Sequence, residues 1–239
     1  MIVWRSFGAS VIGPGHVAAG LPNQDAWVSF HHAWGDGIVV SDGLGSRPFS
    51  DFGSRAACLA AARAAHSCGG KPDLNRSMLS DRITRKWISL ITPLTPRDCA
   101  ATCLFAFRLN DGVVHMGMLG DGLVAVVRGN GTVASLSDDK SEGFSNMTDA
   151  LSPDVTAKHW RWLSMPEADC QSIVLCTDGV SDDLSDVTGF VKEFCEAHRC
   201  LSSVSAARRA REALQKWPTP KHSDDMTIAC LFREKVADE

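Results

Sequence analysis

The stretch CAATCLFAFRLNDGVVHMGMLGDGLVAVVRGNGTVASL, residues 99–136, decides the fold. Apolar, β-rich runs follow one another, with Asn110-Asp111-Gly112 and Gly129-Asn130-Gly131 between them. Asx-Gly pairs close tight hairpins, because both residue types tolerate the left-handed backbone that such turns need. A parallel crossover would need a dozen or more intervening residues, and these turns are far shorter. The segment therefore predicts an antiparallel meander rather than a βαβ series.

The flanks extend that reading. MIVWRSFGASVIG (1–13), NQDAWVSFHHAW (23–34) and GIVVSDGLGS (37–46) read as short strands, the first two joined by a Gly/Pro-rich loop. Alanine-rich Ser50–Cys68 predicts a helix stopped by Gly69-Gly70. A second helix is expected over Asn75–Ile91, with Met78, Ile83, Trp87, Ile88 and Ile91 roughly on one face. Residues 138–170, polar and carrying Pro153 and Pro166, read as a loop or flap. SIVLCTDG (172–179) reads as a strand, 183–217 as mostly helical, and DDMTIACLFRE (224–234) as a closing strand. Strands, two helices, more strands, helices and a last strand predict an α+β architecture, with helices covering antiparallel sheet. No linker divides the 239 residues, so one domain spanning 1–239 is expected.

Bulk composition narrows the function. With 44% hydrophobic and 22% charged residues the chain can bury a sizeable core. A net charge of −4 gives no reason to expect nucleic acid. The basic run AARRAREALQKW, with Arg208, Arg209 and Arg211, reads as a solvated helix face. Nine cysteines without a C-x-x-C pair, several inside apolar segments, suit a reducing compartment. Neither a signal peptide nor 18 consecutive apolar residues is present, so a cytoplasmic protein without a membrane partner is expected. The sequon at 146–148 then carries no meaning.

Three apolar segments end in Asp-Gly, at Asp42, Asp121 and Asp178. Turn chemistry alone explains one such ending. Asp25, Asp224 and Asp225 also stand at strand-to-loop junctions. Carboxylates gathered at one end of a sheet repel each other, and a hard divalent cation such as Mg²⁺ or Mn²⁺ removes the conflict. Two such ions lower the pKa of a shared water and clamp a transferring phosphoryl group. No P-loop and no G-x-G-x-x-G between a strand and a helix competes with this reading.

Six elements in order resemble the metal-dependent serine/threonine protein phosphatases of the type 2C (PPM) family, in a divergent bacterial-type form. They are NQDAW, VVSDGLGS (39–46), the strand–hairpin–GDG segment at 99–131, DDKSEGFSNMTDAL (138–151), VLCTDGVSDDL (174–184) and SDDMTIACL (223–231). The resemblance implies a four-layer αββα sandwich of two antiparallel sheets flanked by helices, with metals at one end. It implies that Asp42 bridges two Mn²⁺ or Mg²⁺ ions and that the Gly43 carbonyl completes the second. Asp178 and Asp224, or Asp225 beside it, would hold the first ion, and Asp25 would act through metal-bound water. Asp121 with Asp178 would hold a third. Asp42, Asp178 and Asp224 then carry catalysis, with a metal-activated water hydrolysing phosphoserine or phosphothreonine in proteins. A phosphorylated protein is the implied substrate, and a cognate serine/threonine kinase a partner.

The sequence also departs from the pattern. Gly20 stands where the family has its phosphate-binding arginine, Gln24 replaces an acidic residue and Leu44 a histidine. Gly122-Leu123 replace a Ser-Arg pair, and Lys140 replaces a histidine of the flap. His16 is the leading candidate for the missing phosphate contact and Arg47 the second. These losses leave open an inactive relative serving as a binding or regulatory module; the polar flap leaves open a hydrolase of small phosphoesters. Other phosphatase chemistries lack their residues: no C-x₅-R, no D-x-D and no Gly-Asn-His-Glu occurs.

Overall fold

The structure is a computed structural model and describes residues 2–68, 74–137, 149–218 and 223–235. Ten strands form two five-stranded antiparallel sheets. The strands are β1 (Ile2–Val11), β2 (Ala26–His32), β3 (Gly35–Ser41), β4 (Cys103–Leu109), β5 (Val113–Leu119), β6 (Leu123–Arg128), β7 (Val133–Ser137), β8 (Arg161–Pro166), β9 (Cys170–Cys176) and β10 (Met226–Lys235). One sheet runs β1-β10-β9-β6-β7 and the other β2-β3-β4-β5-β8.

Alternation of side chains across each strand explains the layers. Ile38 and Val40 of β3, Leu104 and Ala106 of β4, Ile173 and Leu175 of β9, and Ala229 and Leu231 of β10 point between the sheets and are fully buried together. The opposite face of the β2–β8 sheet takes Val39, Phe105 and Phe107, and packs under helices α2 (Ser50–His66) and α3 (Arg76–Ile91). The opposite face of the β1–β7 sheet takes Cys176, Ile228 and Phe232 under α5 (Val187–Arg199) and α6 (Ser203–Gln215). Helix, sheet, sheet, helix is thus the order of layers, as the sequence leads one to expect.

Local chemistry sets the helix ends. Asn75 caps α3 by accepting from the Met78 amide at 3.0 Å, and Ser202 caps α6 by accepting from Ser205 at 3.2 Å. The alanines of α2 allow it to lie close on the sheet, with Ala57, Ala60, Ala61, Ala64 and Ala65 all without exposed surface.

Three expectations are corrected. The 99–136 segment is not one meander: β4 pairs with β5 and β6 with β7, but the chain changes sheets between β5 and β6. The supposed Gly/Pro loop contains helix α1 (Pro14–Ala19), started by a proline at the position where no amide donor is needed. The region 138–170 is not wholly a loop, since β8 pairs with β5 along the edge of its sheet. Of that region, residues 138–148, including Lys140 and the sequon, lie outside the described residues.

Candidate metal centre

Strand register brings the aspartates together. Ala26 pairs with Ser41, so Asp25 before β2 lies across from Asp42 after β3. Cys176 pairs with both Leu123 and Ile228. Asp121, Asp178 and Met226 each lie two residues beyond those partners, all at one end of the sandwich. Asp121 occupies the point where the chain crosses between sheets. The glycines beside it are required there: Gly120 and Gly122 have φ of 94° and 111°, in the left-handed region. A Cβ on Gly120 would stand 2.6 Å from Thr102 Cγ2, and one on Gly122 2.6 Å from the Cys176 carbonyl oxygen.

One carboxylate oxygen from each of Asp42, Asp121 and Asp178 lies within 4.8 Å of the others. Among the described residues this is the one group of three or more His, Cys, Asp or Glu side chains so spaced. All three residues are half-buried. Asp42 is locked in place by Thr102, whose hydroxyl accepts from the Asp42 amide at 2.9 Å and whose amide donates to the Asp42 carbonyl at 2.8 Å. Asp178 opens the short helix α4 (Asp178–Ser181), and its Oδ1 accepts from the Gly179 amide at 2.8 Å. Gly43 lies so close to the start of α2 that a Cβ would collide with the Ser50 carbonyl.

The electrostatics carry the mark of crowded, desolvated carboxylates. Burial, then repulsion from Asp25, Asp178 and Asp224, holds Asp42 well above the ordinary carboxylate range. Burial, then Asp121 and Asp224, pushes Asp178 up to about 7. Asp25 also reaches about 7, chiefly through burial; hydrogen bonds from Thr227 and Thr177 pull it back in part. Thr177 Oγ1 donates to Asp25 Oδ2 at 2.8 Å, while Asp25 Oδ1 is buried with no hydrogen-bond partner.

The adjacent pair Asp224 and Asp225 divides by geometry. The field of Asp224 reaches both Asp42 and Asp178. Asp225 is 1% exposed and its oxygens face inward: Oδ1 accepts from Gly13 N at 2.7 Å, and Oδ2 from Gln24 N at 2.6 Å. His16 Nδ1 lies 2.9 Å from the same Oδ2. Asp225 thus anchors α1 and the Gln24 turn, and His16 is tied to that anchor. Arg47 is half-buried on the turn after Gly45, with Nε buried and unpartnered. Thr102, Thr177 and Thr227 escape a sequence reading for acidic residues. Their signal is a hydroxyl inside an otherwise apolar strand or beside its terminal aspartate.

Hard oxygen donors at this spacing, mutually repelling and beside a buried, unpartnered carboxylate oxygen, suit a divalent cation. A family model described as Protein phosphatase 2C matches residues 12–217. No curated protein matches the chain in sequence. Solved structures share its fold at low identity. The photosystem II phosphatase PBCP is 14% identical with a TM-score of 0.67, the match covering 99% of this chain and 100% of that one. The catalytic domain of the serine threonine protein phosphatase PstP, in complex with two manganese ions, is 16% identical with a TM-score of 0.63, over 98% and 100%. The phosphatase domain and regulatory fragment of SpoIIE from Bacillus subtilis are 13% identical with a TM-score of 0.63. There the match covers all of this chain, which spans 66% of that one.

Proposed function

The chain belongs to the protein phosphatase 2C family, and from that membership we propose that it hydrolyses phosphoserine and phosphothreonine in proteins with a Mn²⁺ or Mg²⁺ centre. The observation that carries the proposal is the convergence of Asp42, Asp121 and Asp178 from three separate strand ends. Asp42 would hold both of two ions, with the Gly43 carbonyl completing the second; Asp178 and Asp224 would hold the first, and Asp121 with Asp178 a third. Two or three bound ions would supply Lewis-acid charge to the phosphoryl oxygens and lower the pKa of a water. Asp224 rather than Asp225 is the ligand of the adjacent pair, since Asp225 has three nitrogen neighbours of its own. Asp25, through its unpartnered Oδ1, would accept a proton beside the ligands. Thr102 and Thr177 would position Asp42 and Asp25.

Gly20 supplies no guanidinium, so Arg47 is the better candidate for the phosphate; His16 is engaged with Asp225. The substrate would be a protein phosphorylated by a serine/threonine kinase. A cytoplasmic setting is supported by nine free cysteines, eight of them buried. No described helix is long and apolar enough to cross a membrane. Hydrolysis of p-nitrophenyl phosphate with Mn²⁺, with and without EDTA, tests the chemistry alongside Asp178→Asn. Metal-dependent turnover falling at least 100-fold in the variant is expected. Equal background in all samples would refute the proposal, and phosphopeptide against sugar-phosphate panels would then fix the substrate class.

A further inference from the structure

We propose that the end of the β1–β7 sheet remote from the aspartates carries a second binding site, which takes a small oxyanion bearing two or more negative charges. A cavity of about 790 Å³ opens there, within the range of small-molecule sites. Arg5, Arg199, Arg233 and Lys235 line it, and among the described lining residues Glu234 is the one carboxylate. That carboxylate is already engaged, since Arg5 Nε donates to Glu234 Oε1 at 2.7 Å. Arg5 Nη2 donates to the Arg199 carbonyl at 3.0 Å, closing the last turn of α5. Among the described residues no carboxylate pairs with Arg199, Arg233 or Lys235.

Two nitrogen donors here lack acceptors: Arg5 Nη1 and Arg233 Nε are buried without a hydrogen-bond partner. Those two nitrogens lie behind the cavity wall and add uncompensated positive charge to it, while the carboxylate-free head groups of Arg199, Arg233 and Lys235 on the lining offer an oxyanion charge-assisted hydrogen bonds with matching fork geometry. Ser202 adds the capped N-terminus of the 13-residue helix α6 to the same wall. Recessed donors in a cavity of this size favour a compact anion over a protein surface. The site is separate from the metal centre. Asp225 and Arg233 lie at opposite ends of β10, and eight residues of extended strand span about 26 Å. The inference therefore stands whether or not the chain is a phosphatase.

Calorimetric titration with inorganic pyrophosphate, in EDTA at low salt, tests it; a parallel titration with citrate separates phosphate from carboxylate recognition. The metal-free aspartates repel anions, so they do not compete. One saturable site per chain is expected, weakened at least tenfold in Arg199→Gln/Arg233→Gln. Lys235→Glu, at an exposed position, should weaken it too without disturbing the fold, while Asp178→Asn should bind as the parent does. Saturable binding of either anion with this pattern supports the site. Absence of binding of both anions, or affinity unchanged in the Arg199/Arg233 and Lys235 variants, would overturn it.

Discussion

At the scale of single residues, the aspartates are in conflict with their own fold. Asp25 and Asp178 reach about 7 from an ordinary value of 3.8, and Asp42 is raised as well. The metal-free folded state therefore binds more protons than the unfolded chain between about pH 4 and 7. Its stability falls as pH rises through that window and stays low above it. Asp178→Asn removes one charge, so at pH 8 in EDTA its melting temperature should rise by roughly 2–4 °C, about 1 kcal/mol. With Mn²⁺ the order should reverse, because the variant would lack one of the proposed ligands. A variant less stable than the parent in EDTA would show that the cluster is not repulsive. The three Asp-Gly pairs were legible as candidates from sequence. Asp225 was not legible as an anchor, because its partners Gly13, His16 and Gln24 lie more than 200 residues away.

Elements fix which of those aspartates meet. Hairpin turns at 110–112 and 129–131 are local and were readable from their Asx-Gly pairs. The switch between sheets at Gly120-Asp121-Gly122 was not. A tight turn within a sheet and a passage between sheets use the same residues, and only long-range register separates them. β8 escaped because Pro166 closes it and polar residues precede it, so its strand character comes from pairing with β5. Glycine substitutions distinguish the switch from an ordinary turn. Gly131 has φ of 80° with open space around it, so Gly131→Ala should cost only the backbone strain, about 1 kcal/mol. Gly122→Ala adds a clash with the Cys176 carbonyl and should cost more, on the order of 2–3 kcal/mol, and weaken Mn²⁺ binding. Urea melts of both variants, with a Mn²⁺ titration of each, make the comparison. Equal costs and equal metal affinities would remove the switch from the site.

For the whole molecule, the layers explain why the three aspartates of the candidate metal site meet at all. Asp42 ends a strand of one sheet, Asp178 ends a strand of the other, and Asp121 lies on the passage between them. A cation held by all three, as proposed, would tie the sheets together at one end. On the other side of that junction the interior from Ile38 to Leu231 is shared by both sheets. One domain, and hence a single calorimetric transition, is expected. Mn²⁺ at 100 times its dissociation constant should shift that transition up by roughly 6–10 °C at pH 8 and by less at pH 6. Two separate transitions would instead assign the sheets to independent units. Helices over antiparallel sheet were legible from the order of strands and helices and the αββα layering from the family resemblance, whereas the pairing order within each sheet required coordinates.

The most direct test of the metal centre is a count of bound Mn²⁺ by electron paramagnetic resonance, on the parent chain and on Asp42→Asn. At least two ions per chain are expected for the parent at pH 8, with at least one lost and the remainder weakened in the variant. Fewer than one ion per chain at millimolar Mn²⁺, or a count and affinity unchanged by Asp42→Asn, would contradict the assignment of these aspartates as ligands.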